Sequence, residues 1–122
     1  MKKQVMVVDD SRIMELNIRR LLEGSDYEMA AYCENGEEAI AQYGEIRPDV
    51  VTMDIIMPGI DGLETAKIIM EEHPEARIVM VSSLAYDDTI SEAGEIGARA
   101  VLCKPITREN LLDTLDRVTA QD

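Results

Sequence analysis

Val5-Met6-Val7-Val8-Asp9-Asp10-Ser11 is the stretch on which the fold turns. Its four successive apolar residues, three of them β-branched, have the pattern of a strand covered on both faces, and two aspartates end it. From Ser11 the period changes to a helical stripe of Met14, Ile18, Leu21 and Leu22, with Ser11 as N-cap and Gly24 as the stop. The same unit then recurs. A weaker strand is predicted over 29–33, a helix over 37–43 after the turn residues Asn35 and Gly36, and a third strand over 50–53 that Asp54 terminates. The loop from Met57 to Gly62 leads into a stripe of Leu63, Ala66, Ile69 and Met70 closed by Pro74. A fourth strand over 78–81 ends at Ser82, and a helix over 90–96 stops at Gly97. A fifth strand over 100–103 precedes a helix lined by Leu111, Leu112, Leu115 and Val118. Five buried strands alternating with five amphipathic helices predict an α/β fold, a doubly wound parallel sheet joined by right-handed crossovers.

A chain of 122 residues has the length of one domain, here 1–122, with Ala120, Gln121 and Asp122 as the start of a linker and a further domain downstream left open. Its 12 Lys and Arg against 25 Asp and Glu give a net charge of -13, which disfavours direct binding to nucleic acid or to an anionic membrane. Lys2 and Lys3 precede an apolar run that stops at Asp9, too short for a signal sequence or a membrane span, so a cytoplasmic location is expected. Cys33 and Cys103 form no CxxC and have only His73 to complete a zinc set, and both read as buried free thiols in a reducing compartment. Neither GxxxxGK[ST] nor GxGxxG occurs, which argues against a nucleotide fold.

In open parallel sheets ligands bind beyond the carboxyl ends of the strands, so the residues closing each strand carry the chemistry. Those residues are Asp9 and Asp10, Asp54, Ser82, and Lys104 followed by Pro105. Carboxylates crowded in a partly buried crevice repel one another and either take up protons or recruit a cation. Magnesium, which takes one or two carboxylates and keeps several waters, suits this ligand set better than zinc or copper. A carboxylate beside such a cation and an ammonium can attack phosphorus. Asp54 is the candidate nucleophile, with Lys104 and Ser82 each holding a phosphoryl oxygen.

The ordered set Asp9-Asp10-Ser11, Asp54-Ile55-Ile56-Met57-Pro58-Gly59-Ile60-Asp61-Gly62, Ser82 and Lys104-Pro105 resembles the bacterial two-component response regulator receiver domain, in particular its stand-alone chemotaxis-type members. The resemblance spans essentially the whole chain and implies the flavodoxin-like strand order 2-1-3-4-5. It implies Asp54 as phosphoacceptor, Mg2+ held by Asp10, Asp54 and the backbone carbonyl of Ile56, and Asp9 supporting the ion through water. It further implies a cis peptide between Lys104 and Pro105. The implied partners are a sensor histidine kinase or histidine phosphotransfer protein, meeting helix one and the loop after strand five, and a downstream effector or C-terminal output domain. Output would pass through helix four, strand five and helix five.

The chain departs from the family pattern at two places. Val101 stands three positions before Lys104, where receivers often carry an inward-turning Tyr or Phe, so the loop after Ser82 and helix four are expected to carry more of the signal. Ile56 and Leu84, two positions after Asp54 and Ser82, are apolar where polar side chains would orient water, and slow self-dephosphorylation is expected. Plainer readings exist for the single residues. Asp9 and Asp10 serve equally as turn formers, Ser83 competes with Ser82, and Lys104 alone would read as a solvated charge. Met53, Met57 and Met80 read as filling, and His73 as a helix-terminal residue near the negative end of the dipole. Two other functions fit parts of the pattern. A haloacid-dehalogenase-like magnesium-dependent phosphohydrolase would need Asp-x-Asp and a cap, and an unphosphorylated docking module would not need the full acidic set.

Overall fold

Apolar runs and amphipathic stripes resolve into ten alternating elements in the computed structural model, which describes residues 1–83 and 87–120. They are β1 (Lys3–Val8), α1 (Arg12–Leu22), β2 (Tyr27–Cys33), α2 (Gly36–Ile46), β3 (Val50–Asp54), α3 (Gly62–Glu72), β4 (Ile78–Ser82), α4 (Asp87–Ile96), β5 (Ala100–Cys103) and α5 (Arg108–Thr119). All neighbouring strands pair in parallel, in the order β2-β1-β3-β4-β5. The predicted α/β sheet and strand order are both observed. Leu84, Gln121 and Asp122, on which expectations also fell, lie outside the described residues.

Side-chain alternation explains why the central strands carry apolar runs. Val5 and Val7 point to one face, where Ile18, Leu22, Leu111, Leu115 and Val118 of α1 and α5 cover them. Met6 and Val8 point to the other, against Ala39 and Tyr43 of α2, Ala66 and Ile69 of α3 and Ala93 of α4. With both faces dry, neither can carry a polar period, and each fully buried large side chain contributes about 1.5–3 kcal/mol. Met53 and Met80 are fully buried and Met57 is nearly so, as expected of filling residues.

Side chains at the helix ends explain the boundaries. Ser11 caps α1 by accepting from the Met14 amide, and Asn35, Asp61 and Thr107 cap α2, α3 and α5 in the same way. Arg47 ends α2 in the left-handed region at φ 46° just before Pro48, so this helix runs past the predicted Tyr43. Helix α4 begins three residues earlier than its apolar stripe indicates, because Asp87 and Asp88 open it with charge suited to the helix dipole. Strand β2 begins at Tyr27, whose ring is buried while its hydroxyl donates to Asp116 Oδ1 at 2.7 Å.

The expectation for the cysteines fails in part. Cys33 is buried, but Cys103 is exposed. It closes β5, the edge strand, where the side chain has passed beyond the covering helices. Among the described residues no helix is long and apolar enough to cross a membrane.

Candidate functional site

The order β2-β1-β3 places the reversal of chain direction across the sheet beside β1 and β3, and the carboxyl ends of these strands flank the resulting crevice. Asp9 follows β1 and Asp54 ends β3, with Val8 and Met53 in register between them. Continuing the alternation, Asp9, Asp54 and Lys104 fall in phase with Val7, Thr52 and Leu102, on the α1 and α5 side of the sheet. Ser82 ends β4 in register with Cys103, and the Lys104 amide donates to the Ser82 carbonyl at 2.9 Å. The Lys104–Pro105 peptide is cis, as the resemblance implied.

These placements gather the charges. Asp9, Asp10 and Asp54 each offer a carboxylate oxygen, and the three atoms lie within 4.8 Å of one another. Asp9 and Asp54 are 3% and 7% exposed, whereas Asp10 faces solvent. Lys104 Nζ lies 3.5 Å from Asp54 Oδ1 and 3.6 Å from Asp9 Oδ2, so one ammonium is shared by the two buried carboxylates. The remaining Asp9 oxygen accepts from the Ser11 amide at 2.8 Å, which ties the acidic pair to the start of α1. Asp9 is thus both the turn former of its plainer reading and a member of the cluster.

Burial pushes the Asp9 carboxyl above the usual carboxylate range, opposed by the Ser11 hydrogen bond and by Lys104. Burial likewise raises Asp54, with the charge of Asp9 adding to it and Lys104 opposing. A single ammonium therefore leaves the cluster under-neutralised. Oxygen donors alone, negative in excess and open at Asp10, are the donor chemistry of a hard divalent cation.

The loop after β3 holds a constraint that the sequence reading passed over. The Gly62 amide donates to the Ile55 carbonyl at 2.7 Å, folding residues 55–62 back onto the end of β3. A Cβ on Gly62 would overlap the Asp54 carbonyl oxygen and fall 2.8 Å from Ile55 Cα, so only glycine fits. Asp61 accepts from the Glu64 amide at 2.8 Å, and the spacing Asp61-x-x-Glu64 was the available sequence signal for this cap. Ile56, two residues after Asp54 in the chain, is 64% exposed. Val101 is half-buried against the core on the α2, α3 and α4 side. His73 caps the end of α3, its ring 4.8 Å from that of Tyr43 and its Nδ1 3.6 Å from Glu75 Oε1, remote from the acidic cluster in the fold.

Comparison with known proteins bears on this arrangement. Residues 5–116 match the family described as the response regulator receiver domain. The chemotaxis protein CheY of Listeria monocytogenes is 36% identical over 114 residues, covering 93% of this chain and 96% of that protein. CheY of Thermotoga maritima is 34% identical over 119 residues, covering 98% and 99%. The solved response regulator domain of Thermotoga maritima CheB matches with a TM-score of 0.92 at 30% identity, covering 100% of this chain and 99% of that one. A chain of the CheX-CheY-BeF3-Mg complex from Borrelia burgdorferi matches with a TM-score of 0.93 at 28% identity, covering 98% and 90%.

Proposed function

The chain belongs to the response regulator receiver family and is a phosphoacceptor of two-component signalling, and from that premise we propose which residues carry the transfer. Asp54 takes the phosphoryl group. Asp10, Asp54 and the Ile56 carbonyl hold Mg2+, and Asp9 supports the ion through water. Lys104 and Ser82 bind phosphoryl oxygens. The observation that carries this reading is the single ammonium of Lys104 lying between two buried carboxylates, 3.5 Å from Asp54 and 3.6 Å from Asp9.

When bound, the cation offsets the negative charge of the carboxylates and of the incoming phosphoryl oxygens. The protein does the rest by position. An Asp54 carboxylate oxygen attacks phosphorus as the P–N bond of a donor phosphohistidine breaks, and the electron pair leaves with the imidazole nitrogen. Once an Asp54 oxygen is esterified its charge has moved outward to the phosphoryl group, and Lys104 follows it from carboxylate to phosphoryl oxygen. The Ser82 hydroxyl, at the end of β4, donates to a second oxygen. In this way the chain assists its own phosphorylation and dephosphorylation, and the new charge biases a two-state equilibrium.

Residues 1–122 act as one receiver unit in the cytoplasm. A sensor histidine kinase or histidine phosphotransfer protein docks at α1 and the loop after β5, and an effector or an attached output domain reads α4, β5 and α5. That one related structure is a complex of CheX with CheY supports engagement of a separate protein by such a chain. Val101, with its small surface, limits how much β5 exposes on switching, leaving α4 to carry more of the change. Ile56 shields the acyl phosphate from water, so Ile56→Asn speeds its decay.

Incubation with magnesium and a small phosphodonor, followed by intact-mass analysis, tests the assignment. One added phosphoryl group on wild type and none on Asp54→Asn is expected. A wild type that takes no label, or an Asp54→Asn variant that keeps it, refutes the assignment.

A further inference from the structure

Between α3 and α4 lies an open groove of about 640 Å³ whose lining includes none of Asp9, Asp10, Asp54 and Lys104. Leu63, Met70 and Ile96 form an apolar floor, each partly buried and backed by the core. Along its sides stand Glu64 and Glu71 from α3 and Glu92 and Glu95 from α4, all exposed, with Asp61 at one end. Lys67 is the one cation among the lining residues. None of these four glutamates forms an ion pair with a cation among the described residues.

From this combination we infer that the α3–α4 groove is a docking site for a short basic amphipathic segment of another protein, with Lys or Arg on its flanks and aliphatic residues facing inward. The sign of the charge selects the occupant. A second copy of this chain brings a further net charge of -13, and nucleic acid or an anionic membrane is repelled in the same way. A single metal ion is a poorer fit to the geometry. The three-carboxylate convergence found among the described residues is Asp9, Asp10 and Asp54, whereas the groove glutamates are spread along two helices and share no such point. Spread carboxylates over an apolar floor match a helical or extended peptide, whose aliphatic side chains cover the floor while its cations meet the rim.

The groove can respond to the rest of the molecule because its α4 wall is lightly held, whereas α3 buries Gly62, Thr65, Ala66 and Ile69. Ala93 is the one buried residue of α4, and Gly94 beside it has open space around it. Asp61 joins the α3 wall to the loop whose Gly62 amide is bonded to Ile55.

The test uses the full, unphosphorylated chain without magnesium, so that its outcome is independent of the phosphoryl assignment. The probe is a synthetic peptide of about 12 residues, three helical turns, with Lys and Leu at helical spacing. Its control is a peptide of identical composition with the spacing scrambled. Amide chemical-shift changes are expected to centre on Leu63, Met70 and Ile96, with the patterned peptide bound at least about fivefold more tightly than the scrambled one. The double variant Glu92→Gln/Glu95→Gln should weaken binding by about fivefold and Lys67→Glu should strengthen it, while Glu109→Gln, outside the groove on α5, should change nothing. Equal binding of the scrambled peptide, shifts centred on Asp9 and Asp54, or affinities indifferent to Glu92, Glu95 and Lys67 would overturn the inference.

Discussion

Replacing Asp54 by asparagine should stabilise the metal-free fold yet weaken its response to magnesium, so that variant and wild type exchange rank as the ion is added. The carboxylate oxygens of Asp9, Asp10 and Asp54 lie within 4.8 Å of one another. At that separation and an effective dielectric constant of about 20, each pair of unit charges repels by roughly 3 kcal/mol. Lys104, 3.5 Å from Asp54, returns roughly 5 kcal/mol of attraction on the same scale. The two repulsions on Asp54 already outweigh that attraction, and loss of hydration adds to them as the largest of the causes that raise its carboxyl. A carboxyl that titrates higher in the fold than in the unfolded chain binds more protons when folded. Its contribution to stability therefore falls as pH rises from the unfolded toward the folded pKa, and stays at its lowest above both.

Asparagine keeps the shape and removes the charge, for an expected gain on the order of 1–2 kcal/mol, or about 3–8 °C in Tm. Magnesium at about 100 times its dissociation constant adds about 2.7 kcal/mol to a protein that binds it only when folded. Wild type should show that gain and Asp54→Asn, short of one ligand charge, much less of it. Circular-dichroism melts at neutral pH, with chelator and then with saturating magnesium, read both quantities. A wild type that is the more stable protein without metal, or equal rises in Tm for the two, would refute the electrostatic reasoning.

Gly62→Ala should destabilise by about 1–3 kcal/mol, since the new Cβ displaces backbone at Asp54 and Ile55, and should lower magnesium affinity; a melt with and without the ion measures both. Gly94→Ala, on an exposed turn of α4 with nothing within 4 Å, should raise stability by about 0.5–1 kcal/mol in denaturant titration. Burial pushes the Tyr27 phenol up to about 12, so its contribution is fully present below the ordinary tyrosine value and is lost as pH rises toward 12. Burial raises the Tyr32 and Tyr43 phenols as well, so difference absorbance should show several tyrosines ionising late, and Tyr27→Phe should remove one of those late ionisations together with the hydrogen bond to Asp116.

Local pattern was enough to place the ten elements and their order, because a strand buried on both faces has no room for polar residues and an amphipathic helix has no other period. Val5 to Val8 and the stripe from Met14 to Leu22 report which surfaces must leave water, whatever covers them. The strand-end residues were legible for a related reason. A parallel sheet brings the carboxyl ends of its strands to one edge, so Asp9, Asp54, Ser82 and Lys104 converge from topology once the strands are counted. Element ends were less legible where charge or capping, not apolar period, decides them, as at Asp87 and Arg47. The exposure of Cys103 was likewise hidden, since an apolar neighbourhood in sequence does not say where a covering helix stops.

What only the folded molecule decides is distance between residues remote in the chain. No spacing reveals that Lys104 divides its charge between Asp9 and Asp54, that Gly62 must lack a Cβ because the Asp54 backbone lies against it, or that glutamates of α3 and α4 face one another across an apolar floor. Hydrophobic burial is read residue by residue and survives in the sequence. Steric contacts fall off within an ångström or two and screened electrostatic ones within about 10 Å, so both depend on distances set only once the chain has closed on itself.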